Sequence, residues 1–179
     1  MEHVERVGRK KVYEGAIIDV YQDTMRLPDG TEEKWDFVDH RMGAAAVVAV
    51  TEDGKLLMVR QYRPALDRYT LEIPAGKRDL LTEDTLITSK RELKEETGYE
   101  SDDWRKLLSV RTTVAFCDEH IDIYLAENCK KTSGQHLDPE EDIEILEFDA
   151  DSLKEKIYAG EIEDSKTIAG IMSYLELNK

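Results

Sequence analysis

Three glutamates, Glu92, Glu95 and Glu96, stand at i, i+3 and i+4 within Arg91-Glu92-Leu93-Lys94-Glu95-Glu96-Thr97-Gly98. On a helix this spacing stacks their carboxylates on one face, where like charges repel and ask for a compensating cation. Arg91, four residues before Glu95, supplies one pairing, but a single guanidinium does not neutralise three carboxylates. Hard divalent ions do, because Mg²⁺ and Mn²⁺ take oxygen ligands and leave positions for water and substrate phosphate. The competing reading is a solvated acidic face with Lys90 and Lys94 as salt-bridge partners, the commoner fate of a Glu-rich helix. The wider pattern around the three acids decides between the two.

These acids need a helix, and the chain from about 84 to 97 is helical in composition until Gly98, a natural C-terminal stop. Upstream, residues 10 to 40 alternate in the manner of strands, with Pro28-Asp29-Gly30 as a turn, which predicts a small antiparallel meander. Residues 43 to 50 form a buried strand, Asp53-Gly54 a hairpin turn, and 55 to 62 a returning strand. Pro74-Ala75-Gly76 breaks the pattern after Leu71 and Ile73. Further strands are expected at about 106 to 114, 120 to 127 and 143 to 148, with a polar, acidic loop at 128 to 142. Two helices close the chain, one from about Ala150 to Gly160, the other from Asp164-Ser165 with Ile168, Ile171, Met172 and Leu175 on its core face. The plan is α+β: a meander over residues 1–41 feeding a mixed sheet with packed helices over 42–179.

Composition narrows the partners. The 179 residues carry 40 Asp+Glu against 25 Lys+Arg, a formal charge of -15, which excludes a basic grip on nucleic acid. Hydrophobic residues at 40% are enough for a core, so the remaining charge reads as solvated surface. The longest apolar run, Gly43 to Val50, is too short for a membrane span, and the first twenty residues lack the apolar stretch of a signal peptide. Cys117 and Cys129 in a charged chain suggest a reducing, cytoplasmic setting and two buried thiols rather than a disulfide.

The acidic helix resembles the signature of the Nudix hydrolase family, G-x5-E-x7-R-E-U-x-E-E-x-G-U with U aliphatic or aromatic. Glu83 precedes Arg91 at the required spacing, and Arg91, Glu92, Glu95, Glu96, Gly98 and Tyr99 fall in place. The strict positions of R-E-x-x-E-E-x-G would arise by chance in only ~10⁻⁴ of chains of this length. Gly76 lies seven residues before Glu83, one more than the signature has, and a loop absorbs that insertion more readily than a helix. Arg60-Gln61-Tyr62-Arg63, Leu71-Glu72-Ile73-Pro74-Ala75-Gly76 and Asp164-Ser165-Lys166-Thr167 resemble the branch that hydrolyses ADP-ribose and related nucleotide sugars. One departure is Val114, which stands where that branch usually has a proline.

The resemblance implies a Nudix-type α/β/α sandwich behind the meander and Mg²⁺-dependent hydrolysis of a pyrophosphate, Mn²⁺ being an alternative ion. Glu92, Glu95 and Glu96, with the Ala75 backbone carbonyl, would hold metal, and Arg91 would orient the carboxylates. A further acid from the loop at 138 to 142 would ligate metal or take a proton from the attacking water; Glu141 sits best, with Glu140 second. Arg60 and Arg63 are candidates for phosphate contacts, with pairing to Glu72 or another acid as the alternative reading. Trp35 resembles the aromatic that stacks adenine, though a sheet-packing role is equally open, and Glu119 resembles the ribose-contacting acid. Both are often offered across a dimer interface, so a homodimer through the N-terminal sheets is expected, with a small-molecule nucleotide diphosphate as substrate. Other nucleotide sugars, dinucleotides such as FAD or diadenosine polyphosphate, and a non-catalytic nucleotide sensor are the alternatives.

Overall fold

The computed structural model describes residues 3–139 and 142–178. Packing divides the chain into two units: one takes the chain up to Gly43 together with Arg111–His120, the other takes Ala44–Val110 and the chain from Ile121 onward.

The first unit is an antiparallel meander of β1 (Glu5–Glu14), β2 (Ile18–Arg26) and β3 (Glu32–His40), in that order. The expected turn closes β2 to β3, with Leu27 N–H donating to Thr31 O at 2.8 Å and the Asp29 carboxylate accepting from Thr31 N–H. β1 begins five residues before the apolar alternation does, because charge carries its pairing. Arg9 lies opposite Asp23 and holds both carboxylate oxygens at 2.7 Å, while its guanidinium covers the rings of Tyr21 and Phe37. Residues 111–120 join this unit through β3. Val38 N–H donates to Phe116 O at 2.7 Å, and Asp118 N–H donates to Val38 O at 3.3 Å. The sequence places that segment with the larger region; backbone pairing places it with the meander.

The second unit is built on a mixed sheet of order β11-β5-β4-β10-β8, with β6 on β5, β7 on β4 and β9 on β10. Its strands are β4 (Ala44–Thr51), β5 (Leu56–Arg63), β6 (Arg68–Glu72), β7 (Ala75–Lys77), β8 (Tyr99–Glu100), β9 (Asp103–Arg111), β10 (His120–Lys131) and β11 (Ile143–Phe148). Its helices are α1 (Thr85–Thr97), α2 (Ala150–Tyr158) and α3 (Ser165–Leu177). β4 runs parallel to β10 and antiparallel to β5 and β7.

The apolar run of β4 is buried on both faces, as a central strand covered twice must be. Val47 and Ala49 point to a cluster with Leu57, Ala126 and Leu93 of α1. Val48 and Val50 point to another with Met58, Leu153 of α2, and Ile162 and Ile171. The helices therefore cover opposite faces, giving the α/β/α layering within this unit. Each fully buried Leu, Ile or Val contributes about 2 kcal/mol.

β6 and β7 were not legible as strands. Pro74 reads as a break, yet β7 starts at the next residue: Pro74 lacks only an N–H, and its carbonyl still accepts from Val47 N–H at 2.9 Å. Among the described residues no helix is long and apolar enough to cross a membrane.

Candidate active site

α1 ends at the expected stop, and its start is capped by a group not singled out in the sequence. Asp84 caps its start by accepting from Leu86 N–H at 2.9 Å. Gly98 ends it in the left-handed conformation, φ +74°, with its N–H on Lys94 O at 2.8 Å. Between these ends the helix presents Glu92 and Glu96 buried, 8% and 2% exposed, and Glu95 half-buried.

Arg91 ties that acidic face together. Its Nη1 donates to Glu92 Oε1 at 2.7 Å and to Glu95 Oε2 at 3.1 Å, and its Nη2 donates to Lys77 O of β7 at 3.0 Å. Burial opposes its charge, but Glu92, Asp79 and Glu95 outweigh burial and hold the guanidinium above its ordinary pKa. Arg91 thus joins helix and strand and orients two carboxylates. Glu83, the outlying acid of the motif, works beside it by accepting from Asp79 N–H at 2.8 Å and Thr88 Oγ1 at 3.0 Å.

β7 closes against the same face. Ala75 N–H donates to Glu96 Oε2 at 3.1 Å. Gly76 leaves a notch that the Glu92 carboxylate fills, since a Cβ there would stand 2.1 Å from Glu92 Cδ.

A strap that sequence reasoning missed holds the other end of α1. The last carbonyls of a helix have no intrahelical donor. Here Glu95 O accepts from His136 N–H at 2.8 Å, Glu96 O from Gln135 Nε2 at 2.8 Å, and Gly98 O from Thr132 N–H at 2.9 Å. Gln135 Nε2 also reaches Ile143 O at 3.0 Å, linking the last turn of α1 to the start of β11. The polar composition of residues 128–142 carries no signal for these bonds.

The donor set is all oxygen, which suits a hard divalent cation. Among the described residues no three His, Cys, Asp or Glu side chains converge as a ready-made ligand cluster. Arg91 draws Glu92 and Glu95, and the Ala75 N–H draws Glu96. Two buried carboxylates sharing a face, with one set in a glycine notch beside β7, nevertheless match such an ion in kind. Glu140 and Glu141, the expected loop acids, lie outside the described residues.

Of the expected substrate contacts, Arg63 is tied to Glu72, three residues before Ala75 of the carboxylate face. Its fork grips Glu72, Nε to Oε1 at 2.7 Å and Nη2 to Oε2 at 2.6 Å, and the charge of Glu96 also reaches it. Arg60 does not join it. Arg60 is half exposed, donates to Glu144 Oε2 at 3.1 Å and lies 4.5 Å over the Tyr69 ring. Trp35 and Glu119 belong to the first unit. Trp35 is 44% exposed with its Nε1 on Glu33, so it is not a packed core aromatic. Glu119 accepts from Thr112 Oγ1 at 2.6 Å and faces His40 Nε2 at 3.5 Å.

Glu72 sets an acid limit on stability. Burial alone would raise its pKa, but the Arg63 hydrogen bonds and the Lys166 charge overcome burial and hold it at about 2, against an ordinary 4.5. A depressed carboxylate stabilises the fold fully above its unfolded pKa and loses that contribution as pH falls through the folded value. The contribution, about 3 kcal/mol, is therefore expected to be whole above about pH 4.5 and to fade toward pH 2. Denaturant unfolding at pH 6 and pH 3 checks this: the loss on acidification should shrink in Glu72→Gln, and an equal loss in both proteins would contradict it.

A family model described as NUDIX domain matches residues 40–169. The chain is 36% identical over 174 residues to an ADP-ribose pyrophosphatase of Bacillus subtilis (strain 168), covering 97% of this chain and 92% of that one. It is 37% identical, with the same coverage, to a methanol dehydrogenase activator of Bacillus methanolicus. A solved structure described as an ADP compounds hydrolase superposes with a TM-score of 0.87, covering 99% of this chain and 95% of that chain at 16% identity, a likeness of fold.

Proposed function

Because the chain belongs to the Nudix hydrolase family, we propose that it cleaves the pyrophosphate of ADP-ribose to AMP and ribose 5-phosphate, with Mg²⁺ as the activating ion. The observation that carries this reading is the carboxylate face of α1, complete in all three acids and joined by Arg91 to β7. A net charge of -15 repels a diphosphate, so the acids serve the substrate only through a cation. A divalent ion held by Glu92, Glu95, Glu96 and the Ala75 carbonyl would supply that charge, polarise phosphorus and ease ionisation of the attacking water.

The chain's own groups do the rest. Arg91 keeps the carboxylates turned to one side, and the notch at Gly76 lets Glu92 approach the backbone. Arg63 meets the diphosphate, and Glu141, or Glu140 beside it, takes the proton that the attacking water gives up. Water oxygen bonds to one phosphorus, the bridging P–O bond breaks, and the bridging oxygen leaves with the other phosphate. Trp35 stacks on adenine and Glu119 receives the ribose. Two copies pair through the meander sheets, whose exposed Val12 and Tyr13 offer apolar contact, and the enzyme works in the cytoplasm.

A second reading keeps the chemistry and changes the group beyond the pyrophosphate. It is favoured by Val114, which is 82% exposed where the branch usually has proline. A panel of ADP-ribose, ADP-glucose, GDP-mannose, FAD and diadenosine polyphosphate, each with Mg²⁺ or Mn²⁺, separates them. ADP-ribose is expected to give the highest kcat/KM. A higher value for another member would replace the substrate and leave the chemistry, whereas no cleavage of any member would end the enzyme reading.

A further inference from the structure

A buried ion network in the second unit lies one step back from the site. Glu72, at the end of β6, is 3% exposed, and Lys166, in the first turn of α3, is 7% exposed. Lys166 Nζ donates to Glu72 Oε2 and, at 2.9 Å, to Asp164 Oδ2. Asp164 caps α3, accepting from Thr167 N–H at 3.0 Å and Thr167 Oγ1 at 2.6 Å, and Thr167 Oγ1 accepts from Ile73 N–H at 3.0 Å. Thr70 Oγ1 adds a donor to Glu72 Oε1 at 2.6 Å. With the two bonds from Arg63, each oxygen of Glu72 has a cation and no room to turn.

Docking α3 against β6 does not require this arrangement. Taking a lysine and a glutamate out of water is costly, and well-packed apolar side chains of similar volume often hold such a junction equally well. What the network fixes, and apolar packing would not, is the plane of the Arg63 guanidinium. Nε and Nη2 of Arg63 are committed to Glu72, so the fork presents the Nη1 edge, on a side chain that remains 40% exposed. Glu72 lies three residues before Ala75, whose N–H meets Glu96, so the guanidinium is tied to the strand end that adjoins the carboxylate face.

We propose that Glu72 and Lys166 are positioning residues that hold the Arg63 guanidinium in one orientation, with its free edge turned to the diphosphate of the substrate. This rests on the pyrophosphatase reading above and assigns the end of α3 a part in substrate binding. Lys166 fixes Glu72, Glu72 fixes Arg63, and Arg63 makes the contact. Neither Glu72 nor Lys166 touches substrate.

The test is a double-mutant cycle of Lys166→Met and Arg63→Lys, read as KM and kcat with Mg²⁺ on the panel diphosphate that the parent cleaves best. Lys166→Met is expected to raise KM about tenfold with kcat within about threefold, and Arg63→Lys to raise KM by a similar factor. The double variant should be no worse than Arg63→Lys alone, because Lys166 acts only through Arg63. Lys166→Arg, which keeps the cation, should recover most of the KM. A purely structural role for Lys166 would lower the melting temperature and leave KM unchanged, or would raise KM equally in both backgrounds; either result overturns the proposal, as does an unchanged KM in Arg63→Lys. If Lys166→Met does not fold, Glu72→Gln takes its place in the cycle with the same expectation, since the amide keeps the shape and one acceptor. A parent that cleaves no member of the panel overturns the function on which the proposal rests, and is told apart from failure of the cycle because it appears before any variant is made.

Discussion

Glu96→Gln is expected to lower kcat by roughly a thousandfold while the protein melts within a few degrees of the parent. The two halves of that result have separate causes. Glutamine keeps the length of the side chain and an amide oxygen to accept from Ala75 N–H, the contact that joins α1 to β7, so the buried fold loses little. What disappears is one negative charge from the face proposed to hold a cation against a diphosphate. Steady-state kinetics with saturating Mg²⁺ and a thermal melt check the pair. Activity within a few-fold of the parent would mean that this face does not hold the metal, and collapse of the fold would mean that Glu96 is structural first.

Gly76→Ala tests the same site without touching a carboxylate. A methyl at that position would stand 2.1 Å from Glu92 Cδ and about as close to both of its oxygens, nearer than real atoms pack. The backbone of Gly76 does not need positive φ, so alanine suffers no conformational penalty there. The end of the Glu92 side chain is the part free to yield, and it must swing out of its notch by an ångström or more. Misplacement of that size costs about a hundredfold in rate. A fall of kcat by about that factor is expected, with the melting temperature little changed and with half-saturation by Mg²⁺ moved to higher concentration. Unchanged kinetics in folded protein would show that Glu92 works equally well outside the notch.

The acidic helix was legible because every rule agreed there. Gly98 is an unambiguous stop, three acids share a face, and Arg91 stands four residues before Glu95. β11 ran over 143–148 as expected, since Ile143 and Ile145 alternate with acids next to an apolar partner strand. Short elements were less legible. β7 is three residues long and β8 two, too few for a periodic pattern, and each exists because a neighbouring strand offers unpaired backbone. The outer part of β1 shows no apolar alternation because it pairs through Arg9 and Asp23.

The site shows the same contrast. Residues whose chemistry is local, Glu92, Glu95, Glu96 and Arg91, were visible together because one helix carries them. Bonds between distant segments left no local trace. Gln135 is 39 residues from the Glu96 carbonyl it satisfies, and Lys166 is 94 residues from Glu72. Arg63 was a candidate from its neighbourhood, but its commitment to Glu72 on one edge, and so the freedom of only the other, depended on β6 folding back against β5.

The proposed activity is cleavage of a pyrophosphate through a cation held on the α1 carboxylates. Incubation of the purified protein with ADP-ribose, with Mg²⁺ or with excess EDTA, and chromatographic identification of the products tests it most directly. AMP and ribose 5-phosphate in equal amounts are expected with Mg²⁺, and intact ADP-ribose with EDTA. ADP-ribose recovered intact with the metal, or cleaved just as fast without it, would contradict the claim.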